Sequence, residues 1–189
     1  MNHSCRLSDN TKRYLDRFYC ILDEMTVAMT GVEWTESISY DFIIQMIPHH
    51  RAAIEMSQNL LQYTTNVSLQ NMAENIIEEQ MRGIEQMQAA MACCSQLCNS
   101  EQEQCLYRRR VDQIMDTMFM EMGRVCECNC IDHDFMKEMI PHHEGAVRMA
   151  ENALKFELCP ELVPILERII RSQRRGIGEM RRMMGCCRG

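Results

Sequence analysis

The chain has 189 residues, a net charge of −7 and 46% hydrophobic residues, enough for one large or two small domains with a buried core. Its 8 Gly and 4 Pro are too few for a loop-rich or disordered chain, and its acidic balance excludes a generally basic nucleic-acid-binding protein. The unusual part of the composition is sulfur, with 19 Met and 12 Cys.

Six helices are predicted, because good helix formers dominate their spans and the alternating pattern of a half-buried strand is absent. Asp132 is a predicted helix start. Residues 66–68 form a polar break before the third helix, and their counterpart, 159–161, places a proline near a helix N-terminus. The predicted spans are 9–30, 37–64, 68–92, 102–123, 131–157 and 161–184.

The sequence repeats at an offset of 93 residues. DFIIQMIPHH begins at Asp41 and DFMKEMIPHH at Asp134, and 23 of the 54 positions in 41–94 are identical to their partners. The repeat divides the chain into 1–93 and 94–189, each with three helices, and together they are predicted to form one compact domain. Because a short turn joins the second and third helices, the two copies predict an all-α four-helix core with one extra N-terminal helix per repeat.

Paired histidines fall on the second helix of each repeat. At 100° per residue, His50 lies in the middle of the apolar stripe, one turn after Met46, whereas His49 lies at its edge near Met56. Pro48 precedes the pair, and a proline inside a helix breaks a local rule in the way that functional sites do. The second copy repeats this pattern with Met139, Pro141, His142, His143 and Met149.

Folding the first helical hairpin about residues 66–67 brings His50 level with Gly83, and Met46 level with Met87. A glycine inside a helix costs roughly 0.5–1 kcal/mol relative to alanine, and here it would leave space beside an inward imidazole. The same geometry is expected for His143 and Gly176.

These residues predict a soft-metal site, because neutral imidazole is the commonest metal ligand and thioethers suit copper(I) or silver better than iron. The alternative is that the histidines are core residues held by backbone carbonyls, and most methionines must be ordinary core. The central site is predicted from Met46, His50, Met87, Met139, His143 and Met180. Candidate second sites are His49 with Met56, and His142 with Met149.

Cysteines supply further candidate ligands. Thiolates bind copper(I) or zinc, and a C-x-C-x-C run in an extended loop can wrap a soft ion, whereas free thiols or disulfides are the alternative. The N-terminus lacks the apolar core of a secretory signal, which predicts a cytoplasmic protein with reduced thiols. A signal trimmed before residue 1 would instead predict a periplasmic or extracellular one. The candidate thiolates are Cys126, Cys128 and Cys130 in the run, and Cys93, Cys94, Cys98, Cys186 and Cys187 at or just beyond the ends of the third helices.

The motif MIPHH followed by AxxM, with IIxxQxxxIxxM in the next helix, resembles the "domain of unknown function 305" family. Here the first copy spans Met46 to Met56 and Ile76 to Met87, and the second spans Met139 to Met149 and Ile169 to Met180. The resemblance implies a ferritin-like four-helix bundle that binds copper through His and Met. The cysteines lie outside the family pattern.

Three functions stay open at this point. The favoured one is a copper(I)-binding protein for buffering, storage or resistance, with zinc or silver as other candidate ions and iron less favoured. A ferritin-like di-metal oxidoreductase needs Glu-x-x-His motifs, which the sequence lacks, and the nearest acids, Glu138 and Glu144, have Gln45 and Arg51 as repeat partners. A Cys-rich structural or assembly protein is the third.

The expected partner is a metal ion, with a homo-oligomer as a candidate and with neither nucleic acid nor a membrane. No apolar run approaches the ~18 residues of a membrane span. The arginines of the last helix are predicted to form a solvated face that pairs with the acidic first repeat: Arg168, Arg171, Arg174, Arg175, Arg181 and Arg182.

Overall fold

The computed structural model describes residues 7–124 and 128–186, and over these ranges the chain forms six helices and no strand. The all-α class is therefore confirmed. The largest difference from the predicted spans is in the fifth helix, which ends at Ala153 and not at residue 157. The helices are α1 (Asp9–Thr30), α2 (Ile38–Leu61), α3 (Val67–Cys94), α4 (Glu101–Gly123), α5 (Ile131–Ala153) and α6 (Val163–Cys186).

Side-chain caps fix where four of the helices begin. Each capping oxygen accepts a backbone N–H of the first turn, which satisfies a donor that has no partner within the helix. The predicted start at Asp132 is wrong: α5 begins at Ile131, and its preceding residue, Cys130, makes no side-chain cap. Asp132 instead lies in the first turn, where its carboxylate favours the positive end of the helix dipole. The capping residues are Ser8, Ser37, Asn66 and Ser100.

Four helices surround the core, and two lie outside it. α2 packs on α3, and α5 packs on α6, while α2–α5 and α3–α6 contacts join these two hairpins. α1 lies against α2, and α4 lies against α5. This is the packing expected of a four-helix core with one added helix per half, and the ferritin-like assignment stays a prediction.

α2 and α5 continue through Pro48 and Pro141 as helices. Within the described residues, no helix combines the length and the apolar character that a membrane crossing requires.

The arginines of α6 pair differently from the prediction. Arg175 alone among the ion-paired α6 arginines reaches the first repeat, at Glu79. The others pair within the second repeat, because α6 packs mainly on α5: Arg171 with Glu167, Arg174 with Glu151, and Arg181 with Glu144.

Candidate metal centre

Four imidazole rings form one row across the contact between α2 and α5. The rings of His49 and His142 stack with their centroids 3.7 Å apart and their planes inclined by 31°. His50 and His143 flank this pair, with ring centroids 6.1 Å and 5.9 Å from those of their neighbours. All four residues are at most 2% exposed. The row therefore joins the motifs of both repeats inside the core.

Reciprocal hydrogen bonds lock the central pair. Nε2 of His49 lies 3.1 Å from the carbonyl oxygen of His142, and Nε2 of His142 lies 3.1 Å from the carbonyl oxygen of His49. Because a carbonyl oxygen can only accept, Nε2 of each neutral ring carries the hydrogen and donates it, so Nδ1 keeps its lone pair. Both Nδ1 atoms are buried without a hydrogen-bond partner in the described part of the chain. Such a nitrogen is unfavourable when left unpaired, and it is the form of imidazole that binds a metal.

Burial keeps all four rings neutral. It lowers the pKa of His49 to about 4 and that of His143 to about 3. Burial, followed by the neighbouring imidazoles, also holds the pKa values of His50 and His142 well below their ordinary value. The row therefore needs no deprotonation to bind a cation at neutral pH.

The predicted register of the hairpins is present in the structure. A Cβ atom built on Gly83 would lie 2.8 Å from Cδ2 and 2.9 Å from Nε2 of His50, and one on Gly176 would lie 3.1 Å and 3.2 Å from the same atoms of His143. Only glycine lets the third helix of each repeat come so close to the imidazole. This register also puts Met87, one turn after Gly83, level with Met46.

The six predicted methionine ligands are all buried, with at most 1% exposure. Burial alone does not distinguish them, because Met29 and Met122 of the outer helices are equally buried. Met118, for example, packs against Gly145 in the contact between α4 and α5. The predicted ligands are Met46, Met56, Met87, Met139, Met149 and Met180.

Two clefts related by the repeat flank the contact between α3 and α6, and each opens on one outer histidine. We call the cleft at His50, of about 190 Å³, the basic cleft, because one glutamate, Glu79, faces four arginines there. The cleft at His143, of about 260 Å³, is the acidic cleft, because Glu79 and Glu179 face one arginine. The arginines of the basic cleft are Arg82, Arg168, Arg171 and Arg175, and Arg175 also lines the acidic cleft.

The carboxylates nearest to the second histidine pair have other partners. Glu138 is buried and accepts a hydrogen bond of 2.6 Å from the hydroxyl of Tyr14 on α1. Glu144 forms ion pairs with Arg148 and Arg181. Gln45 takes the position of Glu138 in the first repeat, so the histidine row lacks the symmetric set of carboxylates that a di-metal oxidoreductase site requires.

The cysteine run is only partly described. Cys128 Sγ lies 3.0 Å from Asp134 Oδ1, while its backbone N–H donates to Oδ2 of the same carboxylate. Thr35 makes the equivalent hydrogen bonds to Asp41 in the first repeat, both of 2.8 Å, so Cys128 takes the place of a threonine that closes a turn. His133 is also near, with Nδ1 3.7 Å from the Cys128 sulfur.

The other predicted thiolates separate into three groups. Cys130 and Cys98 are exposed. Cys126, Cys187 and the side chain of Cys186 lie outside the described residues. Cys93 and Cys94 lie close to Cys159, which the sequence did not suggest as a ligand, because it is more than sixty residues away and has no motif of its own.

Solved structures of two relatives are similar to this chain. One is CopM, whose Ag-bound form has a TM-score of 0.60 and 28% identity, covering 84% of this chain and 100% of CopM. The Cu(I)-bound form (0.57, 28%, 83% and 100%) and the Cu(II)-bound form (0.58, 29%, 80% and 97%) match similarly. The other is a DUF305 fragment from Deinococcus radiodurans, with a TM-score of 0.57 and 22% identity over 78% of this chain and 95% of the fragment. That likeness shows the fold alone.

No curated protein sequence matches the chain. The profile of one family does match, over residues 24–91 and again over 39–184, which together span most of the chain. The chain therefore belongs to the family described as domain of unknown function (DUF305).

Proposed function

We propose that this protein binds copper(I) in its core, through imidazole and thioether ligands, and serves in copper buffering, storage or resistance without turnover. The observation that carries the proposal is the stacked pair His49–His142, whose two buried Nδ1 lone pairs have no hydrogen-bond partner among the described residues. A cation that accepts these lone pairs would satisfy both nitrogens.

The charge of the bound ion follows from its ligands. Imidazole and thioether are neutral, and the buried Glu138 is engaged with Tyr14, so the charge of a bound ion would stay largely uncompensated. The Born cost of burying an ion grows with the square of its charge, so a divalent ion costs about four times as much as a monovalent one. This favours copper(I) or silver over zinc or copper(II), in agreement with the softness of sulfur.

The proposed ligand sets follow the register of the hairpins. Met46, His50 and Met87 lie within one turn of the contact at Gly83, and their repeat partners Met139, His143 and Met180 do so at Gly176. His49 with Met56, and His142 with Met149, form the second pair of sites. CopM, at 28% identity, has been solved with silver, copper(I) and copper(II), which supports soft-metal chemistry for this chain.

The test is an anaerobic copper(I) titration against a competing chelator. Two variants are compared with the wild type, and each retains all cysteines. The first carries H49A, H50A, H142A and H143A, and its control is H133A, which removes a histidine far from the row in sequence. We expect the first variant to lose a defined number of copper ions and the control to lose none.

The second variant keeps the fold measurable if the histidine variant fails to fold. It carries M46L, M87L, M139L and M180L, because Met to Leu conserves volume and usually costs less than about 1.5 kcal/mol at each site. Its control changes four buried methionines of the outer helices: M25L, M29L, M115L and M122L. Equal copper(I) affinity in this variant and its control would show that the core methionines are not ligands.

A further inference from the structure

Three thiols meet where the end of α3 contacts the connection between α5 and α6. The sulfur of Cys159 lies 3.4 Å from that of Cys93 and 2.8 Å from Oε2 of Glu161. One ligand atom from each of these three residues lies within 4.8 Å of the other two. Cys94 is fully buried beside them, and its thiol interacts with that of Cys159.

Hydrogen bonds from the start of α2 hold this cluster in place. Ser39 Oγ accepts the backbone N–H of Cys159 at 2.9 Å, and Ser37 Oγ donates to the carbonyl oxygen of Cys94 at 2.6 Å. Both serines are buried. The two segments that carry the thiols are therefore fixed to one rigid helix, as a preorganised ligand set requires.

The repeat contains no second copy of this cluster. The residue equivalent to Cys159 in the first repeat is Asn66, whose side chain caps α3. The residue equivalent to Glu161 is Ser68. Unlike Cys128, which replaces the turn-closing Thr35, Cys159 has no structural counterpart whose role it takes over.

We propose that Cys93, Cys94 and Cys159, together with Glu161, form a thiolate site for a soft cation, copper(I), separate from the histidine row. With metal–sulfur bonds of about 2.3 Å, two sulfurs on a tetrahedral ion lie about 3.8 Å apart, so the observed pair needs to open by only about 0.4 Å. Thiolates select copper(I) or zinc. A structural zinc site is closed by four ligands that typically include three or four thiolates or histidines, and no histidine lies in this group.

The cluster can also rest empty without charge repulsion. Hydrogen bonds with Cys159 and Glu161 raise the pKa of Cys93 to about 12, and burial raises the pKa of Cys94 to about 12. The empty site therefore holds protonated thiols, and each thiol that binds the ion gives up its proton. Cys93 is exposed, which gives the ion a route in and out.

Proton release distinguishes this site from the histidine row. Copper(I) is added to the full-length protein in weak buffer at pH 7, without oxygen and with a phosphine reductant, while bound metal and released protons are counted. The histidine row releases no protons, since its imidazoles are already neutral, whereas the thiol cluster releases one for each thiolate that binds. Cys159→Ser is compared with Cys105→Ser, which removes an exposed cysteine on α4.

We expect Cys159→Ser to lose one copper(I) equivalent, or at least tenfold of its affinity, together with the protons of that equivalent. Cys105→Ser should keep both. Equal binding and equal proton release in the two variants would overturn the proposal, as would an intact mass that shows a Cys93–Cys159 disulfide under the reductant. Displacement of copper(I) by equimolar zinc would overturn the assignment to a soft monovalent ion. Each result is independent of the outcome at the histidine row.

Discussion

The contact between Gly83 and His50 gives the sharpest mutational test of the centre. In Gly83→Ala, the new methyl carbon would meet the His50 ring at 2.8 Å, closer than a carbon–carbon contact allows. The ring is 2% exposed and lies in a row of four imidazoles, so it cannot move away freely. The substitution therefore displaces a proposed ligand without removing any ligand atom.

The expected magnitude is the balance of two terms. Alanine in a helix interior is favoured over glycine by roughly 0.5–1 kcal/mol. Overpacking a core costs about 1–3 kcal/mol. Gly178→Ala in α6 is the control, because its methyl group would lie 3.6 Å from the nearest atom and gain only the helical term. Gly83→Ala should therefore be less stable than Gly178→Ala by about 1–3 kcal/mol.

Gly176→Ala should fall between these two variants. Its methyl group would lie 3.1 Å from the His143 ring, which a shift of a few tenths of an ångström relieves. Urea unfolding of the three metal-free variants measures the order, and a copper(I) competition titration measures the ligand. If Gly83→Ala is as stable as Gly178→Ala and binds copper(I) equally well, the close approach of the helices does not position His50.

Three further predictions follow from the buried polar groups and the clefts. The metal-free protein should lose stability as the pH falls below about 6.5, by up to about 1.4 kcal/mol per pH unit for each buried histidine, because their folded-state pKa values are lowered and the unfolded chain binds the protons; urea midpoints between pH 7 and pH 5 that do not fall would contradict this. Tyr14→Phe should destabilise by about 1–3 kcal/mol because it leaves Glu138 without its hydroxyl donor, whereas Tyr107→Phe should be close to neutral, since that hydroxyl has no partner among the described residues; thermal or urea unfolding of the pair tests the difference. Glu179→Gln in the acidic cleft should slow copper(I) loading several-fold at low salt and Arg168→Gln in the basic cleft should not, as stopped-flow measurements would show; equal rates would mean that the clefts do not steer the ion.

Most of the helical framework could be predicted from the sequence, because it depends on local signals. Helix-forming composition and polar breaks predicted all six helices, and the break at residue 66 is a genuine cap. Antiparallel packing of consecutive helices needs only a short turn, so the meeting of His50 with Gly83 followed from counting residues away from that turn. The error at Asp132 arose because α5 begins without a side-chain cap, which composition does not reveal.

The central pair could not be predicted in the same way. Helical-wheel geometry put His49 at the edge of the apolar stripe, although the residue is fully buried. The wheel describes the face that α2 turns toward α3, whereas His49 lies on the side that packs against α5. That contact joins helices far apart in sequence, and so does the one between Cys93 and Cys159. Neither leaves a periodic signal in a single helix.

The pairing of His49 with His142 explains why the centre needs both repeats. The two residues are counterparts at the offset of 93, and each donates to the carbonyl of the other. A residue can meet its own counterpart only next to an approximate two-fold axis, as in the interface of a symmetric dimer. The two clefts obey the same relation, but their charges differ. One repeat alone would supply one imidazole of the stacked pair and neither reciprocal hydrogen bond, so the row of histidines is a property of the pair of repeats.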